Sequence, residues 1–425
     1  MAPLRPLLPL DNPVRPYAWG SRTFLAALGG RATPSAEPEA ELWMGAHPSA
    51  PSRVRNGGRD VALDALIAER PEEVLGAATL SRHGAALPFL LKLLAAAEPL
   101  SIQVHPTPEE ARAGFGREEA SGVPRGVPER SYPDPRAKPE LLCALEPFVA
   151  LHGFRRPEEI AAWIERLDAP ELVPAIEPLR RSPSQAALCG LLEAILLAPR
   201  SRRAAMARAA TTAAERQGPD AAPEVRWVAR LGSRFPDDVT VLAPLFLNLV
   251  HLAPGEALFT EAGVIHTYLE GAAVELQASS DNVVRAGLTN KHVDVTELLR
   301  LVRFEPIVPR ILEPRATAVP GVFSLEPPPP DLSLERMETG SSRPGTAPVV
   351  ELDRSSVDRG PEVLLCTAGE TVVEGWAGSG GEPQRERLRA GESLLLTAAA
   401  SRCRLTGEAT VFRARVATPD VAAPA

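Results

Sequence analysis

Four hundred and twenty-five residues are more than one ordinary hydrophobic core and point to about two or three domains. Asp and Glu outnumber Lys and Arg by 54 to 46, giving a net charge of −8. That balance excludes an extended nucleic-acid surface as the main business of the chain, because phosphate backbones are held by clustered Lys and Arg; a small anionic substrate, which needs only a few local cations, is not excluded. Hydrophobic residues at 44% and charged residues at 24% exclude a disordered chain. The four cysteines, Cys143, Cys189, Cys366 and Cys403, have neither metal-knuckle nor CxxC spacing, so reduced thiols are expected. The opening MAPLRPLLPL is broken by Pro3, Pro6 and Pro9, and the apolar run Leu87–Leu100 by Lys92 and Glu98, so neither reads as a signal peptide or a membrane span. A soluble, cytoplasmic protein is expected.

From Asp11 to about Phe154, short apolar runs such as Leu87–Leu94, Leu100–Val104 and Leu141–Leu151 are cut by Pro and Gly, which predicts strands with some helix between them. The stretch from Arg156 to Arg230 changes character. PEEIAAWIERL, PSQAALCGLLEAILLA and RSRRAAMARAATTAAERQG carry apolar residues three and four apart, the helical period, with Pro157 opening the first segment and Ser182 or Ser184 capping the second. Strand pattern returns at Val239 with VTVLAPLFLNLVHLAPGEALFT and continues through His266, Val274–Leu276 and Val283–Arg285, followed by a helix over Val295–Leu301 near Asp294 or Thr296. The stretch from Pro314 to Gly360, with four prolines at Pro327–Pro330, reads as a connector or covering loop, and the alternating tail from Val363 to Val416 as a small β domain. The segment boundaries are then 1–154 and 236–313 for a β domain, 155–235 for a helical insertion, 314–361 for the connector and 362–425 for the tail. The similarity of AGES at Ala390–Ser393 to APGE at Ala253–Glu256 makes the tail a degenerate copy of the same barrel, and its lack of histidine argues against a metal site there.

Four segments carry polar residues where apolar ones are expected. In PLSIQVHP, Gln103 and His105 are two apart, so on a strand they face the same way, as half of a metal site or as two polar residues on a solvent-facing edge. In KPELLCAL, Glu140 enters an apolar strand straight after Pro139, with Lys138 beside it: a third ligand with a proton carrier or anion partner, or an ordinary surface pair. In LAPGEALFTEAGVIHTYLEG, His266 follows a turn at Gly263 in a pattern close to the second metal motif of cupin barrels, and a Gln/His/Glu/His set suits zinc or a similar divalent ion. Glu275, Asp281 and Arg285 lie within eleven positions, with Lys291 following, as an oxyanion or phosphate site or as a local salt-bridge network.

Taken together, NPVRPYAWGS (Asn12–Ser21), ELWMGAHPSAPS (Glu41–Ser52), LPFLLKLLAAAEPLSIQVHP (Leu87–Pro106), KPELLCAL (Lys138–Leu145) and SDNVVRAGLTNK (Ser280–Lys291) make the sequence resemble the type I mannose-6-phosphate isomerases. The resemblance covers most of Asn12–Phe304 and implies a mainly β fold: a cupin (jelly-roll) metal-binding barrel with an inserted α-helical domain and a C-terminal degenerate cupin-like β domain. It implies one Zn²⁺ held by Gln103, His105, Glu140 and His266. It further implies a pocket containing Trp19, Glu41, Lys138, Tyr268, Glu275, Asp281 and Arg285, with Lys92, Ser101 and Lys291 for the sugar phosphate.

The implied reaction is an aldose–ketose isomerisation between mannose 6-phosphate and fructose 6-phosphate. It requires ring opening, then proton transfer between C2 and C1 through an enediol. Arg285 is assigned to charge stabilisation, Lys138 or Glu275 to proton transfer, and Asp281 to orientation or ring opening. The sequence departs from the family at Ala137, where many relatives carry histidine, and at Thr267, where alanine is common. Ala137 keeps open an isomerase of another sugar phosphate or a non-catalytic sugar-binding barrel. The expected partner is a small sugar phosphate, with no nucleic acid, no membrane and a monomeric chain.

Overall fold

The computed structural model describes residues 3–56, 58–326, 332–340, 349–354, 359–378 and 381–417. The proline run Pro327–Pro330 and most of the Gly/Ser-rich stretch after it lie outside the described residues. Two large antiparallel sheets carry the chain, with helices gathered between Pro157 and Phe246. This is the mainly β, cupin-type architecture with a helical insertion that was expected, except that the strand order of each sheet runs open and does not close into a barrel.

The first sheet is built on the strand His266–Ala278, which all the others serve. Its second half pairs on one side with Phe89–Ala96 and on the other with Glu140–Ala144. Its first residues pair instead with Phe148–Phe154 and with Ile102–Val104. The strand changes partners at an irregularity between Tyr268 and Glu270 and at Gly271, whose φ of 117° and 2.7 Å clearance to Phe148 leave no room for a side chain.

Three of these strands are buried on both faces, which explains their near-continuous apolar sequences. Alternation still sorts them. Leu91, Leu93, Leu141, Cys143, Val274 and Leu276 face one core, shared with Val363, Leu365 and Phe412 of the second sheet. The opposite face carries Leu94, Leu142 and Ala273, and with them one charged residue per strand: Lys92, Glu140 and Glu275. Charged groups that deep remain only when paired or employed.

The helical insertion follows the predicted periodicity. Helices span Pro157–Leu167, Gln185–Leu196 and Arg200–Gln217, and the Ser184 hydroxyl caps the second by accepting from Ala187 N. Asp294 caps Val295–Leu301 in the same way. The sequence did not set apart Val173–Arg181, which holds a proline at Pro178, or the extent of Pro223–Arg234. The run from Val239 was expected to be strand. It is a 3₁₀ turn over Val239–Leu242 and a helical turn over Ala243–Phe246, and the strand starts only at Leu247, because tertiary burial on all sides hides any period.

The stretch read as a connector contributes strands at Arg315–Ala316, Val322–Leu325, Leu332–Thr339 and Val350–Asp353 to the second sheet. Leu7–Asp11, from the other end of the chain, pairs with Ser393–Leu396 in that sheet. All four cysteines are free thiols.

Candidate active site and metal centre

His105 and His266 are both fully buried, on neighbouring strands. Each ring is fixed through Nδ1: His105 to the carbonyl of Asn282 and His266 to the carbonyl of Val264, both at 2.9 Å. A carbonyl only accepts, so each Nδ1 carries the proton and each Nε2 presents a bare lone pair. Those two Nε2 atoms lie 3.3 and 3.4 Å from opposite oxygens of Glu140 and have no hydrogen-bond partner. Three acceptors facing one another without a proton between them would repel; a cation resolves the arrangement. The three donor atoms fall within 4.8 Å of one another, and two imidazoles with a carboxylate suit zinc. Burial pushes the His105 pKa down to about 4, which keeps its imidazole neutral for ligation. Burial opposes ionisation of Glu140, but Lys138 and the two imidazoles outweigh it and hold the carboxyl well below the usual range.

Strand register places the remaining candidates. Gln103 is the direct cross-strand partner of His266 and lies two residues before His105, so its side chain shares their face. Arg285 is the cross-strand partner of Gln103 on the next strand. One row across the sheet therefore reads His152, His266, Gln103, Arg285. Thr267, the family departure, donates to the carbonyl of Leu100 at 2.8 Å and so ties the His266 strand to the segment carrying Ser101.

A second cluster lies on the same face. Lys92 is paired across the strands with Glu275 and with Trp43. Its ammonium sits 3.2 Å from Glu275 and 3.6 Å from Glu41, under the Trp43 ring. Burial disfavours the Lys92 charge, but Glu41 and Glu275 outweigh it and raise its pKa. Burial raises the Glu275 carboxyl above its usual range despite Lys92. Lys92, expected beside the phosphate, is thus an internal counter-ion between two carboxylates. Lys138 lies 2.9 Å from Glu140, and the Tyr268 hydroxyl 3.4 Å from the other oxygen of that carboxylate.

Arg285 and Lys291 differ from Lys92. Among the described residues Arg285 makes no ion pair, and the Lys291 ammonium lies over the Tyr17 ring, itself stacked on Trp19, with Glu41 near enough to favour its charge. Burial lowers the pKa of both, and the charge of Arg285 lowers Lys291 further, so the two cations are neighbours. The turn joining them is pinned from the helical insertion: Leu288, at φ 52°, donates to Asp238 at 2.7 Å and to Thr240 at 3.2 Å.

Three residues of the site were not singled out from sequence. His47 lies 3.1 Å from Asp281. Asp134 accepts from Asp281 N, and Asn282 joins Asp134 and Arg136 through its amide while its own carbonyl anchors His105. Their signal was present in the AHPS and SDN tripeptide contexts, but an amide and a lone imidazole are legible only once their partners are known.

The match to the model of the phosphomannose isomerase type I catalytic domain covers residues 7–157. A mannose-6-phosphate isomerase of Escherichia coli is 36% identical over 412 residues, spanning 95% of this chain and 98% of that protein. The human mannose-6-phosphate isomerase is 32% identical over 395 residues, covering 86% and 88% of the two chains. The chain belongs to the type I phosphomannose isomerase family. A crystal structure of a zinc-bound mannose 6-phosphate isomerase superposes with a TM-score of 0.84 at 34% identity, over 97% of this chain and all of the other. No helix among the described residues is long and apolar enough to cross a membrane.

Proposed function

We propose that this chain interconverts mannose 6-phosphate and fructose 6-phosphate through an enediol, with one zinc ion held by Gln103, His105, Glu140 and His266. The observation that carries the reading is the pair of bare, buried Nε2 atoms aimed at one carboxylate, in a chain that is homologous to mannose-6-phosphate isomerases along nearly its full length. When bound, zinc supplies orientation of the substrate oxygens and polarisation of the C1 and C2 oxygens as a Lewis acid.

The chain's own residues supply the rest. Arg285 and Lys291, which form no ion pair among the described residues, meet the anionic parts of the substrate; Ser101 adds a hydroxyl, and the Tyr17–Trp19 stack walls that side. Lys138 is the proton carrier at C1 and C2, held in reach by Glu140 at 2.9 Å, with Glu275 as the alternative carrier. Glu41 and Glu275 hold Lys92 charged, so the floor of the site stays near electroneutral when substrate enters. Asp281 faces the sugar ring. The same reading makes the protein a cytoplasmic, monomeric enzyme of sugar-phosphate metabolism, supplying mannose 6-phosphate for mannose and GDP-mannose pathways.

The test is a coupled assay of mannose 6-phosphate turnover with chelator and zinc re-addition. Activity lost to chelator and restored by zinc is expected. A folded, zinc-loaded protein without turnover would move the assignment to another sugar phosphate or to a binding role.

A further inference from the structure

A pyranose cannot isomerise until its ring opens, and opening requires a base for the anomeric hydroxyl. Five carboxylates surround the site, and one of them, Asp134, is committed to the Ser280 hydroxyl and to the backbone N–H groups of Asp281 and Arg136. Glu140 is committed to the histidines and Lys138, while Glu41 and Glu275 are buried around Lys92. Asp281 is the one that remains half exposed, with a side-chain exposure of 54%. Partial burial opposes its ionisation, but the hydrogen bond to His47 and, more weakly, the charges of Lys138 and Lys92 outweigh it and favour the carboxylate. Its backbone is fixed by Asp134, but among the described residues its carboxylate has a single side-chain partner, Nε2 of His47 at 3.1 Å.

The His47 tautomer follows from its other side. The backbone N–H of Ser49 donates to His47 Nδ1 at 3.3 Å, so Nδ1 is an acceptor and Nε2 carries the proton. The Ser49 hydroxyl, 2.9 Å from Nδ1, completes the same pattern. His47 is buried and packed edge-on against Trp43 with ring centroids 5.0 Å apart, so it holds its direction.

We propose that His47 is the positioning residue for ring opening: its Nε2–H fixes Oδ2 of Asp281 and leaves Oδ1 aimed at the anomeric hydroxyl. Asp281 Oδ1 takes the proton from O1, the O1 electron pair forms the C1 carbonyl, the C1–O5 bond breaks, O5 takes a proton from water, and the hydroxide so formed takes the proton back from Asp281, restoring water and the carboxylate. No net charge or electron is gained. The inference rests on the isomerase reading for the identity of the sugar.

The test compares zinc-loaded wild type, His47→Leu, His47→Gln, Asp281→Asn and the His47→Leu/Asp281→Asn double variant. Two rates are read: exchange between the α and β anomers of mannose 6-phosphate by NMR, and isomerisation. His47→Leu should retain zinc and lose about 10- to 100-fold in catalysed anomerisation, as removal of an orienting partner does elsewhere. At high enzyme its isomerisation should plateau at the spontaneous ring-opening rate. His47→Gln, which keeps one donor for Asp281, should recover most of the loss. The double variant should be no worse than Asp281→Asn alone. Wild-type anomerisation by His47→Leu, or additive losses in the double variant, would overturn the proposal. If the leucine variant does not fold, His47→Asn, whose amide is too short to reach Asp281, takes its place with the same expected loss. A wild type that anomerises but does not isomerise would defeat the isomerase reading while the His47 comparison still decides this one.

Discussion

The ammonium of Lys138 lies 2.9 Å from Oε1 of Glu140, the same oxygen that faces His105 at 3.3 Å. One carboxylate oxygen is therefore shared between the metal position and the proposed proton carrier. The pairing fixes Lys138 beside the metal position, and charge drawn from Glu140 by a cation would loosen its hold on the lysine. Lys138→Met should keep zinc and fold but lower kcat about 10²- to 10⁴-fold, the usual worth of a positioned acid–base group. Metal analysis and steady-state kinetics on one sample check it; a loss confined to KM would remove Lys138 from proton transfer.

His105→Ala and His266→Ala should each abolish both metal retention and turnover. The Nδ1 anchors to Asn282 and Val264 pre-set both rings, so removing either leaves an incomplete donor set and a buried carboxylate with fewer partners beside Lys138. Zinc content after dialysis is the readout. Because Glu140 then loses a partner on one side, thermal stability should fall as well, by a few kcal/mol at most.

How much of this was legible in sequence depended on local pattern. Glu140, Lys92 and Glu275 stood out because a charge in a strand of leucines breaks its surroundings, and the structure puts each on the site face. The helical insertion was legible through its 3.6-residue period and its serine cap. The open sheets were not, since closure depends on pairings between residues far apart, such as Leu7 with Leu396. Nor was the role of Lys92: sequence shows a cation, but only register shows that Glu275 and Trp43 flank it. His47 stayed unassigned because Asp281 is its partner across more than two hundred residues. The strands within 314–361 were hidden by the prolines and glycines around them, which mark turns without showing what lies between.

Arg285→Ala should retain zinc and lose about 10²- to 10³-fold in kcat/KM, the range found when a preorganised charge-stabilising donor is removed. Among the described residues Arg285 has no acidic partner whose charge would be stranded, so stability should change little. Equal loss in kcat and kcat/KM places its contact in the transition state, and a rise in KM alone places it on the phosphate. Full activity would end its assignment to either.

Gly287 sits between Arg285 and Lys291 with no space for a side chain: a Cβ there would approach Oγ1 of Thr240 to 2.0 Å. Thr240 and Asp238 also hold Leu288 in its left-handed conformation. The segment that follows the helical insertion thus sets the spacing of Arg285 and Lys291. Gly287→Ala should cost about 1–3 kcal/mol in stability and raise KM more than it lowers kcat, because it displaces both cations together. Thr240→Ala, which removes both Oγ1 and the methyl from the contact, should partly restore KM in the Gly287→Ala background. Thermal denaturation and kinetics of the single and double variants check it.

Stability in acid should depend on the second sheet as well as on the active site, where Glu140 is also held well below the usual carboxyl range. Glu362 is buried, and burial alone would raise its pKa; Arg354 at 2.9 Å and Arg413 at 2.6 Å outweigh that and push it down to about 2. A carboxyl depressed on folding binds fewer protons in the native state, so the stability it contributes is fully present above the unfolded value near 4.5 and is lost as pH falls toward 2. The depression corresponds to about 3 kcal/mol. Thermal midpoints of the wild type should therefore decline between pH 4.5 and 2 by more than those of Glu362→Gln. That variant should already be destabilised at pH 7 by about 3–5 kcal/mol, because Arg354 and Arg413 are left buried without their shared carboxylate. Parallel pH profiles for the two proteins would show that Glu362 is not the group that titrates.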